Sequence, residues 1–309
     1  MENNAKQIIT ELATIQDYIR WASSLFVQEG LFFGHGTGNA HDEAVALVLY
    51  SLYQPYDLPI TSFSSALTHS ERQRLIERIE QRINERKPLA YMTNEMRFAG
   101  LSFFVDERVL VPRSPIAELI EQQFNPWLDP EQVHTILDLC TGSACIACAC
   151  AYAFPDAEVD AVDISGDALE VATINRQKHQ LQERLQLIKS DLFTGIDSRY
   201  DLIVSNPPYV SAQELNQLPD EYHAEPRLGF AGGISGLDIV IRILAEAEQY
   251  LKQQGILVVE VGSSAETLQQ TFAEVPFYWL DFERGGDGVF LLTAEQVREY
   301  TGLFKAALN

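Results

Sequence analysis

The sequence predicts an α/β protein: a doubly wound, mainly parallel sheet closed by an antiparallel hairpin, with a smaller helical domain ahead of it. Three observations carry this reading. From Thr135 onward, short aliphatic runs alternate with stretches of helical spacing, the pattern of a parallel sheet covered by crossover helices. Residues 1–90 show helical periodicity and no strand pattern. With 309 residues, 46% of them hydrophobic, the chain has enough apolar material for one large core and one small one.

In the N-terminal domain, 1–90, apolar positions recur at helical spacing over 5–28 and 42–53, and Ser70 is placed to cap a charged helix ending at Lys87. Met96 to Val111 alternates as two short strands around Asp106-Glu107, a joining hairpin over 91–113. Pro112-Arg113-Ser114-Pro115 ends it and starts a helix. The domain 114–309 continues with strand Thr135–Leu139, a helix over 144–152, strand Glu158–Asp163 and a helix over 166–179. Strands over 185–190 and 201–205, a helix over 237–251, a strand over 255–261 and a helix over 265–272 extend the alternation. Residues 277–282 and Val289–Thr293 flank Gly285-Gly286-Asp287-Gly288 and read as the closing antiparallel hairpin.

The net charge of −22 is unevenly spread: residues 1–90 hold 8 basic and 11 acidic side chains, residues 91–309 hold 14 and 33. Such a surface repels phosphate backbones, which argues against direct nucleic-acid binding and favours a basic protein partner. The acidic stretch Asp220, Glu221 and Glu225 reads as a solvated face that could receive such a partner. Cys140, Cys145, Cys148 and Cys150 crowd into one segment with no histidine at zinc-ligand spacing, so reduced, buried thiols are expected and no metal site. His35 and His41 are expected in a loop, in turn or capping roles. Met1-Glu2-Asn3-Asn4 opens without a basic and then apolar stretch, and the longest near-apolar run, 144–154, is too short to span a bilayer. The expectation is a cytoplasmic chain with no membrane contact.

Two motifs carry chemistry. Asp138-Leu139-Cys140-Thr141-Gly142-Ser143-Ala144 ends the first strand and opens a helix, where backbone amides meet a nucleotide-type ligand. Asp163, 21 residues past Gly142, ends the second strand, where a carboxylate reaches ribose hydroxyls. The spacing fits an adenosine ligand; a nicotinamide or flavin nucleotide, or a plain tight turn, also fits the loop alone. The sharper motif is Ser205-Asn206-Pro207-Pro208-Tyr209, directly after the fourth expected strand. Its prolines fix φ and remove amide donors, leaving carbonyls free to accept. The Asn206 side-chain oxygen and the Pro207 carbonyl can each take one hydrogen of a planar NH2 group, with Tyr209 as a flat wall. A proline-rich turn is the bland alternative.

These residues resemble the protein-glutamine N-methyltransferases that modify translation proteins, most closely the branch acting on the third protein of the large ribosomal subunit. Phe33-Gly34-His35-Gly36-Thr37, Asp42-Glu43-Ala44, the stretch from Gly100 to Glu118 with Ser114-Pro115-Ile116, Glu225-Pro226, Gly233, Gly236-Leu237 and Gly285-Gly286-Asp287-Gly288-Val289-Phe290 share the likeness. The resemblance implies a Rossmann-like methyltransferase sheet, an N-terminal domain that recognises substrate, and S-adenosylmethionine as cofactor. It implies that Asp138, Cys140, Thr141, Gly142, Ser143, Ala144, Asp163, Asp191, Leu192 and Asn206 contact that cofactor. Asn206, Pro207, Pro208 and Tyr209 would form the catalytic tetrapeptide, and Phe103, Asn206, Pro207 and Tyr209 would hold the substrate glutamine. The implied partner is a basic ribosomal protein met before assembly. Ala144 stands where the branch carries glycine, and its methyl would crowd the cofactor if that position needs a positive φ. A release-factor substrate, a DNA adenine methyltransferase and a non-catalytic ribosome-assembly partner are the competing readings.

Overall fold

The computed structural model describes residues 2–308; Met1 and Asn309, the outermost residues of the expected ranges 1–90 and 114–309, lie outside the described residues. The chain divides into two compact units, one running through Glu95 and taking in Pro219–Ala224, the other holding Met96–Leu218 and the chain from Glu225 onward.

The first unit is built from α1 (Glu2–Glu11), α2 (Ile15–Gln28), α3 (Ala40–Ser51), α4 (His69–Glu85) and α5 (Leu89–Thr93). The periodic stretch 5–28 is two helices because Thr14 starts a new one: its hydroxyl accepts from the Asp17 amide while Asp17 takes the Thr14 amide. Thr68 and Glu71 form the same reciprocal cap for α4, so Thr68, not Ser70, is its N-cap. His41 lies within α3, not in a loop. Tyr18, Ile19, Ala22, Phe26, Leu47, Val48, Leu75 and Ile79 fill this unit's core.

Inside that core sits Arg82, 1% exposed. Its guanidinium meets Glu43 at 2.6 Å and Glu221 at 3.3 Å and donates to the Phe32 carbonyl at 3.2 Å. Glu221 also accepts from the Phe32 amide, and Glu43 from the Thr37 hydroxyl, so the cluster pins the loop between α2 and α3. The acidic stretch expected as a solvated face is therefore partly internal: Glu221 is buried against Arg82, and Glu225, in the second unit, is buried against Arg113 at 3.1 Å.

The second unit opens with a hairpin, β1 (Met96–Phe98) and β2 (Leu101–Phe103). Its turn is Ala99-Gly100, both at positive φ (46° and 75°), as a two-residue hairpin loop requires. The chain does turn at Asp106–Val109, the Asp106 carbonyl accepting from the Val109 amide at 3.1 Å and its side chain from the Arg108 amide, but this turn joins no paired strands. The main sheet holds β3 (Thr135–Leu139), β4 (Glu158–Asp163), β5 (Leu185–Lys189), β6 (Tyr200–Ser205), β7 (Leu251–Glu260), β8 (Tyr278–Leu280) and β9 (Val289–Thr293). Their order is β5-β4-β3-β6-β7-β9-β8, parallel through β7 and antiparallel at β9 and β8.

Period-two alternation sends side chains to two separate cores. Ile136, Leu202, Val204, Ile256 and Val258 face one, with α6 (Ile116–Glu121) and α7 (Cys145–Ala153). Leu137, Leu139, Ile203, Leu257 and Val259 face the other, with α9 (Asp238–Glu246) and α11 (Ala294–Ala306). Two further helices complete the unit, α8 (Gly166–Lys178) and α10 (Ala265–Thr271). The expected helix 237–251 ends at Glu246 and passes through a 3-10 turn into β7. Among the described residues no helix is long and apolar enough to cross a membrane.

Candidate active site

β3 and β6 are parallel neighbours at which the order of strand addition reverses, and open α/β sheets bind ligands at the carboxyl ends of the strands beside such a switch point. A cleft of about 280 Å³ lies there, lined by residues that directly follow or end each parallel strand. Cys140, Thr141, Gly142 and Ser143 follow β3, Asp163 ends β4, Asp191 and Leu192 follow β5, Asn206, Pro208 and Tyr209 follow β6, and Glu260 ends β7.

The loop after β3 is folded by the two carboxylates expected to matter. Asp138 is fully buried beneath it: Oδ2 accepts from the Thr141 hydroxyl at 2.5 Å and from the Ala147 amide in the first turns of α7 at 3.1 Å. Its Oδ1 has no hydrogen-bond partner among the described residues, and burial pushes its pKa up to about 7. Asp163 accepts from the Gly142 amide at 2.8 Å and the Ser165 amide at 2.8 Å; burial raises its pKa against those bonds. Cys140, Ala144 and Leu192 adopt positive φ (60°, 61° and 49°), strain of the kind that collects at ligand sites, while Gly142 takes φ 55° without it.

After β6, Asn206 is half-buried, and among the described residues neither its side chain nor the Pro207 carbonyl takes part in a hydrogen bond. Tyr209 is held by its hydroxyl, its carbonyl and its ring. Its hydroxyl donates to Glu260 at 3.0 Å, its carbonyl accepts from Ser264 at 2.8 Å, and its ring lies on Gly262, where an added Cβ would sit 2.5 Å from a ring carbon.

Four expected site residues stand outside the lining. Phe103 is fully buried, its ring packed on Phe98 and 4.8 Å from the His179 ring, so it fills core and does not face the cleft. Asp138 and Ala144 are buried under the loop, and Pro207 is buried too. Two lining residues and one buried support of the cleft escaped the sequence. Glu260 closes an apolar run and reads as its polar end; only its equivalence to Asp163 and Asn206, each at a strand's carboxyl end, marks it. Arg242 of α9 meets Asp191 at 3.0 Å. Asn175 of α8, 0% exposed, bonds both the amide and carbonyl of Phe104 and the Ser143 carbonyl, tying the loop to the chain after the hairpin.

The lining suits a nucleoside-bearing ligand: loop amides after β3, a strand-end carboxylate, and an apolar wall containing Val162, Ile164 and Leu228. Among the described residues no group of three His, Cys, Asp or Glu side chains is arranged to hold a metal.

Known proteins match this architecture. The methyltransferase small domain model fits residues 122–219. A solved structure, the hMettl16 catalytic domain in complex with MAT2A 3'UTR hairpin 6, superposes with a TM-score of 0.51 at 16% identity, covering 77% of this chain and 86% of that one; the likeness is one of fold. The ribosomal protein uL3 glutamine methyltransferase of Francisella tularensis is 47% identical over 306 residues, 98% of each chain. That of Neisseria gonorrhoeae is 49% identical over 299 residues, 96% of this chain and 99% of its own. With identity of this degree along essentially its whole length, the chain belongs to the ribosomal protein uL3 glutamine methyltransferase family.

Proposed function

We propose that the protein transfers the methyl group of S-adenosylmethionine to the side-chain amide nitrogen of a glutamine in ribosomal protein uL3. The observation that carries this reading is the meeting of Asn206, Pro208 and Tyr209 with the Gly142 and Asp163 loops in one cleft. When bound, S-adenosylmethionine supplies a methyl group on positively charged sulfur, a strong electrophile. An amide nitrogen is a weak nucleophile because its lone pair is delocalised, so the protein's task is alignment. The Asn206 side-chain oxygen and the Pro207 carbonyl would accept the two amide hydrogens, fixing the NH2 plane and supporting the positive charge that grows on nitrogen. Tyr209 offers the wall along that plane.

The first unit would act as the substrate-recognition domain, and the excess acid of residues 91–309 supports a basic substrate taken before ribosomal RNA covers it. Incubation with labelled S-adenosylmethionine and a panel of ribosomal and release-factor proteins, followed by peptide mass spectrometry, tests the reading. Label on a uL3 glutamine, entering free uL3 faster than assembled large subunits, is the expected result. Label on a release factor alone would move the chain to the other substrate class.

A further inference from the structure

We infer that Glu260 is a positioning residue for the proposed methyl transfer: a buried carboxylate that locks Tyr209 of the tetrapeptide to Ser114 on another wall of the cleft. Glu260 ends β7 and is 5% exposed, yet it contributes to the cleft lining. Its two oxygens have separate tasks. Oε1 accepts from the Tyr209 hydroxyl at 3.0 Å, and Oε2 accepts from the Ser114 hydroxyl at 2.5 Å. Ser114 in turn accepts the Ile116 amide, which connects the clamp to the start of α6.

The surroundings explain why a carboxylate is required. Both partners are hydroxyls acting as donors, and an ionised carboxyl group is acceptor-only, able to serve both at once. A neutral amide would offer one oxygen and turn an NH2 toward the other hydroxyl. Burial pushes the Glu260 pKa upward, opposed by the Ser114 and Tyr209 hydrogen bonds and by the nearby Arg113, with Asp287 acting in the same sense as burial. Tyr209 has its ring on Gly262 and its carbonyl on Ser264, and Glu260 holds its hydroxyl. The ring plane is thereby set before substrate enters, which is how a residue outside the reacting atoms can govern turnover.

The inference rests on the proposed function, and the test separates the two. Single-turnover methylation of uL3 and hydrogen exchange over residues 206–214 are measured for wild type, Glu260→Gln, Tyr209→Phe, Ser114→Ala and the Glu260→Gln/Tyr209→Phe double variant. Glu260→Gln and Tyr209→Phe should each slow transfer by about 10-fold with uL3 KM and cofactor Kd held within about twofold, and the double variant should be no slower than either. Exchange over 206–214 should rise in both single variants. Losses that multiply in the double variant, or transfer and exchange both at wild-type level in Glu260→Gln, would overturn the clamp. Should Glu260→Gln fail to fold, Ser114→Ala combined with Tyr209→Phe asks the same question, because two donors that share one carboxylate must give non-additive losses. If wild type leaves uL3 unlabelled, the proposed function fails, and exchange alone decides the clamp.

Discussion

Buried charge is handled in opposite ways in the core of the first unit and at the strand ends of the second, which elsewhere pairs its buried Glu225 with Arg113. In the first, buried Arg82 meets Glu43 and Glu221, and the half-buried Arg86 reaches Glu221 at 3.6 Å, so two cations balance two carboxylates. Around the cleft of the second, the buried Asp138 and Glu260 and the half-buried Asp163 have hydroxyls and backbone amides as their hydrogen-bond partners, and desolvation raises the pKa of each. Neutral donors orient a carboxylate without discharging it. The first arrangement therefore serves the fold, while the second keeps poised negative charge where strand ends gather a ligand. Substitutions in the two clusters should accordingly fail in different measurements.

The largest effect is expected in the first. Arg82→Met leaves Glu43 buried without its cation and Glu221 with Arg86 alone, and breaking a buried pair from one side costs about 3–5 kcal/mol. Urea unfolding should show that loss, with amide exchange rising first in residues 30–39 and 219–224. A stability within about 1 kcal/mol of wild type would mean that the cluster is not neutralised as drawn and would erase the contrast.

Asn206→Ala should reverse the pattern: stability close to wild type, but single-turnover transfer slower by about 10²–10³-fold, the usual consequence of removing one preorganised polar group. Because the Asn206 side chain takes part in no hydrogen bond among the described residues, its removal leaves no partner unsatisfied there. Near-normal transfer would reduce Asn206-Pro207-Pro208-Tyr209 to a structural turn.

Asp163→Ala is expected to weaken S-adenosylmethionine binding by about 1–3 kcal/mol, the range for hydrogen bonds involving a charged group. Calorimetric titration measures it. Since Asp163 also holds the Gly142 and Ser165 amides, Asp163→Asn, which keeps one acceptor, should recover part of the loss. Unchanged affinity in both variants would remove Asp163 from the binding site.

What the sequence revealed follows the range of the interactions involved. β3, β4 and β9 are legible to the residue because apolar runs between breakers are local, and the tetrapeptide is legible because two adjacent prolines after a strand restrict the backbone by themselves. The hairpin turn was misplaced because Asp106-Glu107 and Ala99-Gly100 are both acceptable turn pairs, and only the backbone shows which one carries two positive φ values. α11 was not expected: its buried face rests on sparse apolar positions such as Val297 and Phe304 among charged neighbours. Glu221 and Glu260 were hidden for a stronger reason. Their partners Arg82 and Ser114 lie 139 and 146 residues away, beyond the reach of any periodicity.

Ala144→Gly should give the smallest effect, and it tests the contrast most finely because it touches the cleft's support without touching its charges. The sequence likeness raised a specific concern, that a methyl here crowds the ligand if φ is positive. The φ is indeed +61°, but Ala144 is fully buried in the core beneath the loop and forms no part of the cleft lining. Glycine would relieve about 1–2 kcal/mol of left-handed strain. It would also give up about 0.8 kcal/mol for a buried methyl group. Its looser unfolded chain costs roughly 0.5–1 kcal/mol more. These contributions nearly cancel, so the melting temperature should shift by no more than about 4 °C in either direction. S-adenosylmethionine affinity should stay within about twofold, because strain relieved equally in free and bound protein does not change binding. A several-fold tightening would show that the loop rearranges to bring the methyl against the ligand. The strain at Ala144 would then belong with the poised carboxylates of the cleft rather than with the core that now covers it.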